Sequence, residues 1–143
     1  IIHLLVKVVT GDGNLLFNVG PKADGTIEPD QIVRLLQVGK WLDKYGESIY
    51  NTRGGPIVNG NWGGATWNGN SLYIHILEWN SDTIKIPLHC GNVMCVTPMT
   101  ASDADWRLEN DTLHLTASDN DKTAYDTIFK VEFDMPVDEV YRS

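Results

Sequence analysis

The chain has 143 residues, 11 basic and 19 acidic side chains, and a formal net charge of −8. That length sets a prior of one domain or two small ones and is enough for a buried core. The acidic balance argues against a nucleic-acid backbone or an anionic membrane surface as partner.

No segment approaches the roughly 20 apolar residues of a membrane span, and no signal-peptide pattern is present. A hydrophobic fraction of 42% with 21% charged residues is ordinary globular composition. Residue 1 is Ile with no Met before it, so the chain is expected to be a processed or partial product.

Residues 1–10, IIHLLVKVVT, carry apolar side chains at 1, 2, 4, 5, 8 and 9, one face of a helix. Gly11-Asp12-Gly13 stops that helix and turns the chain. LLFNVG follows, apolar on both faces apart from Asn18, and predicts a strand over 14–19 covered on both sides, as in parallel sheets. Pro21 to Pro29 reads as a loop around an Asp24-Gly25 turn. Pro29 and Asp30 then open a helix over 29–45. Its expected buried stripe is Ile32, Leu35, Leu36, Gly39 and Leu42, with Gly39 marking close packing and Gly46 a left-handed stop.

The composition changes at Asn51, and the boundary between two domains, 1–54 and 55–143, is placed near Gly54. TRGGPIVNGNWGGATWNGN is rich in Gly, Asn and Trp; after it the period becomes two. SLYIHILEW is apolar on both faces, and TIKIPL, VMCVTPM, WRL, TLHLTA and TIFKVEF follow as short strands. Turn signals at Asn80-Ser81-Asp82, Glu109-Asn110-Asp111 and Asp119-Asn120-Asp121 separate them, which predicts an antiparallel β-sandwich.

Cys90 and Cys95 are five positions apart. In one continuous strand they would lie roughly 16 Å apart on opposite faces, beyond the ~7 Å a disulfide tolerates. Free, packed thiols are expected, although a turn at Gly91-Asn92 would reopen the pairing. HCGNVMC lacks the short ligand spacing of a zinc site, so metal binding with His89 is the weaker alternative.

The first fifty residues pose a physical problem. A lone strand needs neighbours for its backbone donors and acceptors, and both flanking helices carry apolar stripes that one strand cannot cover. A helix–strand–helix unit of this kind is how a (β/α)8 barrel closes.

The residues themselves lead to a family. GNLLFNVGPKADGTIEP followed by LLQVGKWLDKYGESIYNTRGGP closely resembles the C-terminal part of the α-L-fucosidases of glycoside hydrolase family 29. Gly13, Asn14, Asn18, Val19, Gly20, Pro21, Asp24, Gly25 and Ile27 match its pattern, as do Gly39, Trp41, Leu42, Gly46, Glu47, Ile49, Tyr50, Thr52 and Arg53. Phe17 and Tyr45 depart from it where Leu and Asn are usual. The resemblance implies that 1–10, 14–19 and 29–45 are the seventh helix, eighth strand and eighth helix of a barrel. A sandwich would follow from about 57.

It implies further a retaining exo-glycosidase for terminal α-L-fucose, with its carboxylates and its fucose-contacting imidazoles upstream. His3, His75, His89 and His114 then inherit no role, and His114 is expected on the open face of its sheet. This chain alone is expected to be inactive and accessory, with the rest of the barrel as partner and fucosylated glycans reached through the complete enzyme. No cofactor or metal is expected, and a secreted, periplasmic or lysosomal setting is implied.

Asp12 and Asp24 read as turn residues, Glu28, Asp30, Asp43 and Glu47 as helix-end charges, and Asp103 and Asp105 as flanking a strand start, with no catalytic pair among them. Two site hypotheses remain. Asn18 would support the pocket at the barrel rim; its plainer role is to tie down the loop backbone. Trp62, Trp67 and Trp79 could stack on sugars in a carbohydrate- or partner-binding sandwich; their plainer role is core packing.

Overall fold

The computed structural model describes residues 1–88, 93–123 and 125–142. Two helices come first, α1 (Ile2–Thr10) and α2 (Pro29–Tyr45), then a 3-10 turn over Gly46–Ser48. Eight strands follow: β1 (Arg53–Gly54), β2 (Gly63–Asn68), β3 (Ser71–Ile76), β4 (Thr83–Pro87), β5 (Val93–Pro98), β6 (Ala104–Glu109), β7 (Thr112–Ala117) and β8 (Thr127–Phe133). A short helix, α3 (Val137–Val140), closes the described chain. None of the described helices is long and apolar enough to cross a membrane.

The strands form two antiparallel sheets, β1-β2-β3-β8-β5 and β4-β7-β6. Their facing sides bury one core. Leu72, Ile74 and Ile76 of β3 meet Phe129, Val131 and Phe133 of β8; Ile84, Ile86, Leu113 and Leu115 come from the second sheet, and Val137 and Val140 from α3. Alternation puts these residues on one face of each strand.

The helices lie against the other face of the five-stranded sheet. Ile2, Val6 and Ile49 form a small second core with Leu5, Val9, Val38, Trp41, Leu42 and Leu77 packed against it. This explains why SLYIHILEW is apolar on both faces: Leu72, Ile74 and Ile76 face the sandwich interior, while Tyr73 and His75 are buried under the helical segment. Two glycines permit the close approach. A side chain at Gly64 would collide with Thr10 and Asn59, and one at Gly54 with the backbone of Asp12.

Several expectations need correction. Residues 14–19 form no strand; the chain runs over the surface with Leu16 85% exposed. Among the described residues no strand lies beside it to take its backbone hydrogen bonds. On α2 the packed residues are Val38, Trp41 and Leu42, while Ile32 and Leu36 are exposed. No atom outside the helix approaches where a Gly39 side chain would be. Gly46 is right-handed (φ −62°) and continues into the 3-10 turn, so it is not a left-handed stop. His114 does occupy the outer face of its sheet, flanked by Lys85 and Arg107, but is only 8% exposed. Cys95 is a free thiol and exposed rather than packed; His89, Cys90, Gly91 and Asn92 lie outside the described residues.

Candidate functional site

The resemblance puts Asn18 at the barrel rim, in the loop that follows α1. α1 ends at Gly11, and Asp12 adopts a left-handed φ of 62°. That turn is clamped from across the molecule. Arg53 donates Nε to Asp12 Oδ1 (2.8 Å) and Nη2 to Oδ2 (2.6 Å), and the Gly54 amide donates to Oδ1 (2.9 Å). The guanidinium hydrogen bond, then the Gly54 N–H, hold the Asp12 carboxyl well below the usual carboxylate range.

Beyond the clamp the chain is tied at two points. Gly20 donates its amide to Gln31 of α2 (3.3 Å). Asp24 accepts the amide and hydroxyl of Thr26 (3.0 and 2.7 Å), closing the expected turn with Gly25 at φ 82°. Asn18 is exposed and lines a cleft of about 440 Å³ with Phe17, Val19, Gln31 and Arg34. Among the described residues, nine of the fifteen exposed large apolar side chains lie in residues 1–50, so the uncovered surface is concentrated on this third of the molecule.

The three tryptophans are each partly buried and packed against the sandwich core. Trp79 Nε1 donates to Thr127 Oγ1 (3.1 Å), and Lys122 lies over its ring. Trp62 borders a cleft of about 300 Å³ with Ile57, Lys85 and Tyr141. Trp67 stands opposite Arg53 and Leu72 in the sheet. The structure therefore does not bring the three into one site.

Most of the acidic candidates have structural occupations. Glu28 pairs with Lys22 (3.4 Å). Glu47 meets Tyr73 Oη (3.3 Å) and Lys130 (3.4 Å), and the Tyr73 phenol is pushed up by burial and then by Glu47's charge. Asp105 Oδ1 accepts the Trp106 amide (2.8 Å). Among the described residues no group of three or more His, Cys, Asp or Glu could hold a metal ion.

One constellation escaped the sequence reading. His75 Nδ1 lies 2.6 Å from Asp126 Oδ2, His75 Nε2 lies 3.2 Å from Thr66 Oγ1, and Thr66 Oγ1 donates to the Ser48 carbonyl (2.6 Å). Both ionisable side chains are 0% exposed. A hydroxyl, an imidazole and a carboxylate in line is the arrangement of a hydrolytic triad. Here Thr66 spends its single proton on Ser48, and no solvent reaches it, so it is not poised as a nucleophile. The three residues come from β2, β3 and the residue before β8, which places them far apart in the sequence; only an isolated His in an otherwise apolar strand marked the spot.

Comparison with known proteins decides the family. The α-L-fucosidase family model matches residues 1–47. Human tissue α-L-fucosidase is 39% identical over 117 residues, which is 78% of this chain and 25% of its own length. The bovine tissue enzyme is 43% identical over 82 residues, 55% of this chain and 17% of its own. Among solved structures, α-L-fucosidase isoenzyme 1 from Paenibacillus thiaminolyticus superposes with a TM-score of 0.80 at 26% identity, covering 93% of this chain and 34% of that one. The chain belongs to the C-terminal part of the α-L-fucosidase family.

The α-L-fucosidase of Thermotoga maritima, solved with fucose, matches at a TM-score of 0.71 and 29% identity, covering 91% of this chain and 33% of that one. The chain thus spans about a third or less of the length of the relatives it matches. The structural matches run through helices, loop and both sheets, so the fucosidase relationship extends beyond the 47 residues that the family model covers.

Proposed function

We propose that this chain is the C-terminal part of a retaining exo-α-L-fucosidase, acting on terminal α-linked fucose. Residues 1–54 close a (β/α)8 barrel and residues 55–143 form the sandwich that braces it. The observation carrying this reading is the mismatch in coverage. The chain aligns with fucosidase structures over nine-tenths of itself but a third of them, and its uncovered apolar side chains concentrate in the loop and helix that would meet the remainder. Burying Leu16, Phe17, Ile32, Val33 and Leu36 against a partner contributes roughly 1.5–3 kcal/mol for each side chain fully covered.

The chemistry belongs elsewhere in such an enzyme. A retaining glycosidase needs two carboxylates about 5–5.5 Å apart across the scissile bond. Asp12, Asp24, Glu28 and Glu47 are engaged with Arg53, Thr26, Lys22 and Tyr73, and Asp126 is sealed against His75. This chain is then structural and accessory. A chromogenic α-L-fucoside incubated with the purified chain should release no product; turnover by the chain alone would overturn the assignment.

A second reading, a carbohydrate-binding sandwich, draws on the cleft beside Trp62, where Lys85 could meet sugar hydroxyls. Titration with fucosylated glycans that shifted tryptophan emission, and lost the shift in Trp62→Ala, would favour it.

A further inference from the structure

The buried line from Ser48 to Asp126 fixes where its protons are. Thr66 has one hydroxyl proton, and the Ser48 carbonyl, which can only accept, takes it at 2.6 Å. Thr66 Oγ1 must therefore accept from His75, so the ring carries its proton on Nε2. At the other end one further proton lies between Nδ1 and Asp126 Oδ2, 2.6 Å apart. Asp126 Oδ1 has no hydrogen-bond partner among the described residues, so His75 is the group that holds this carboxyl.

The line crosses the boundary between two layers. His75 and Thr66 belong to the five-stranded sheet and Asp126 directly precedes its strand β8, whereas Ser48 ends the 3-10 turn that continues α2. The hydrophobic contact there is small, with three buried residues. Polar contacts add to it: this line, the Asp12–Arg53 clamp, Asn59 on Thr10, and Glu47 on Tyr73 and Lys130. Of these only the Ser48–Asp126 line is wholly buried.

We propose that Thr66, His75 and Asp126 are positioning residues, through which the sandwich fixes the C-terminal end of α2. The imidazole, locked with its proton on Nε2, orients the Thr66 hydroxyl toward Ser48. A ring with its proton only on Nδ1 would draw the Thr66 proton to Nε2 and leave the Ser48 carbonyl buried without a donor. In the complete enzyme α2 would be the last barrel helix, a role that rests on the fucosidase reading; the latch itself does not.

The test uses the whole chain and two readouts. In the unsubstituted protein, nitrogen-15 NMR should show a slowly exchanging proton on His75 Nε2. By hydrogen exchange, Thr66→Val should speed the Ile49 and Tyr50 amides, which donate to Gly46 within the anchored turn, by roughly tenfold or more. Thr66→Ser should restore wild-type rates, and the β8 amides should be unaffected throughout. Asp126→Asn can donate to Nδ1 and should retain the Nε2–H form. A bare Nε2 in the unsubstituted protein would overturn the proposal without any variant. So would equal protection of residues 46–50 in Thr66→Val, or equal loss in Thr66→Ser. Fucoside hydrolysis does not enter these readouts, so failure of the latch and failure of the fucosidase reading are separable.

Discussion

The two regions of this molecule are built on different terms. Residues 63–142 bury a shared core from both sheets, with Phe129, Leu72, Ile74, Leu113 and Leu115 each fully enclosed. Residues 1–50 bury Ile2, Val6 and Ile49 beneath two helices and leave Leu16, Val33 and Leu36 more than half exposed. The sandwich has a core of its own. The helical region is held to it by a small apolar contact and by hydrogen bonds, and its largest apolar surface faces away. The contrast shows that a segment can keep its helices without the sheet they were expected to flank, provided something else covers part of their stripes.

Damage to each region in turn should have unequal effects. Phe129→Ala, at the centre of the larger core, should cost about 3–5 kcal/mol and lower the melting of the whole chain. Calorimetry would contradict the contrast if the loss were under 1 kcal/mol. Asp126→Ala strands His75 in a sealed site; breaking a buried pair costs about 3–5 kcal/mol at most, and the effect should reach α2 as well as the sheet. By contrast, Leu36→Lys on the exposed side of α2 should change stability by no more than about 0.5 kcal/mol. A large destabilisation would mean that this face is already in use.

Acid provides the mildest perturbation. Asp121 is held below the ordinary carboxylate range by the amides of Asp103 and Ser102 and by the Ser118 hydroxyl, and Asp12 by Arg53 and Gly54. For a lowered carboxyl, the stabilisation is complete above the unfolded value near 4 and disappears only as pH falls through the lower folded value. Amide shifts of Gly54 and Asp103 should therefore hold from pH 7 to 5 and move only below about 4. Movement between pH 7 and 5 would contradict the assigned pairs.

Much of this was legible in the sequence, for reasons that differ by element. α1, α2, β7 and β8 carry strong periodicity and β3 an apolar run on both faces, and their places follow from these patterns. The hairpin turn at Asn110-Asp111, both with positive φ, follows from its residue types. β2 went unread because Gly63 and Gly64 masked the alternation, although Asn68-Gly69-Asn70 was a hairpin signal before SLYIHI. The strand expected at 14–19 had the right apolar run, but a strand is a property of neighbours as much as of its own residues. The buried His75–Asp126 contact spans 51 positions, and nothing local in NSLYIHILEW distinguishes a latch from a surface imidazole.

The sandwich buries a core of its own, whereas the helical region leaves its loop and the outer side of α2 uncovered, the surface proposed to meet the rest of a longer protein. Hydrogen exchange on the intact chain tests it directly. Amides of 63–76 and 127–133 should exchange near the rate of global unfolding, while those of 14–20 and the N-terminal half of α2 should exchange orders of magnitude faster. First turns of α2 as slow as β8 would mean that this surface already has its partner within these 143 residues, which would contradict the proposed role of the helical region.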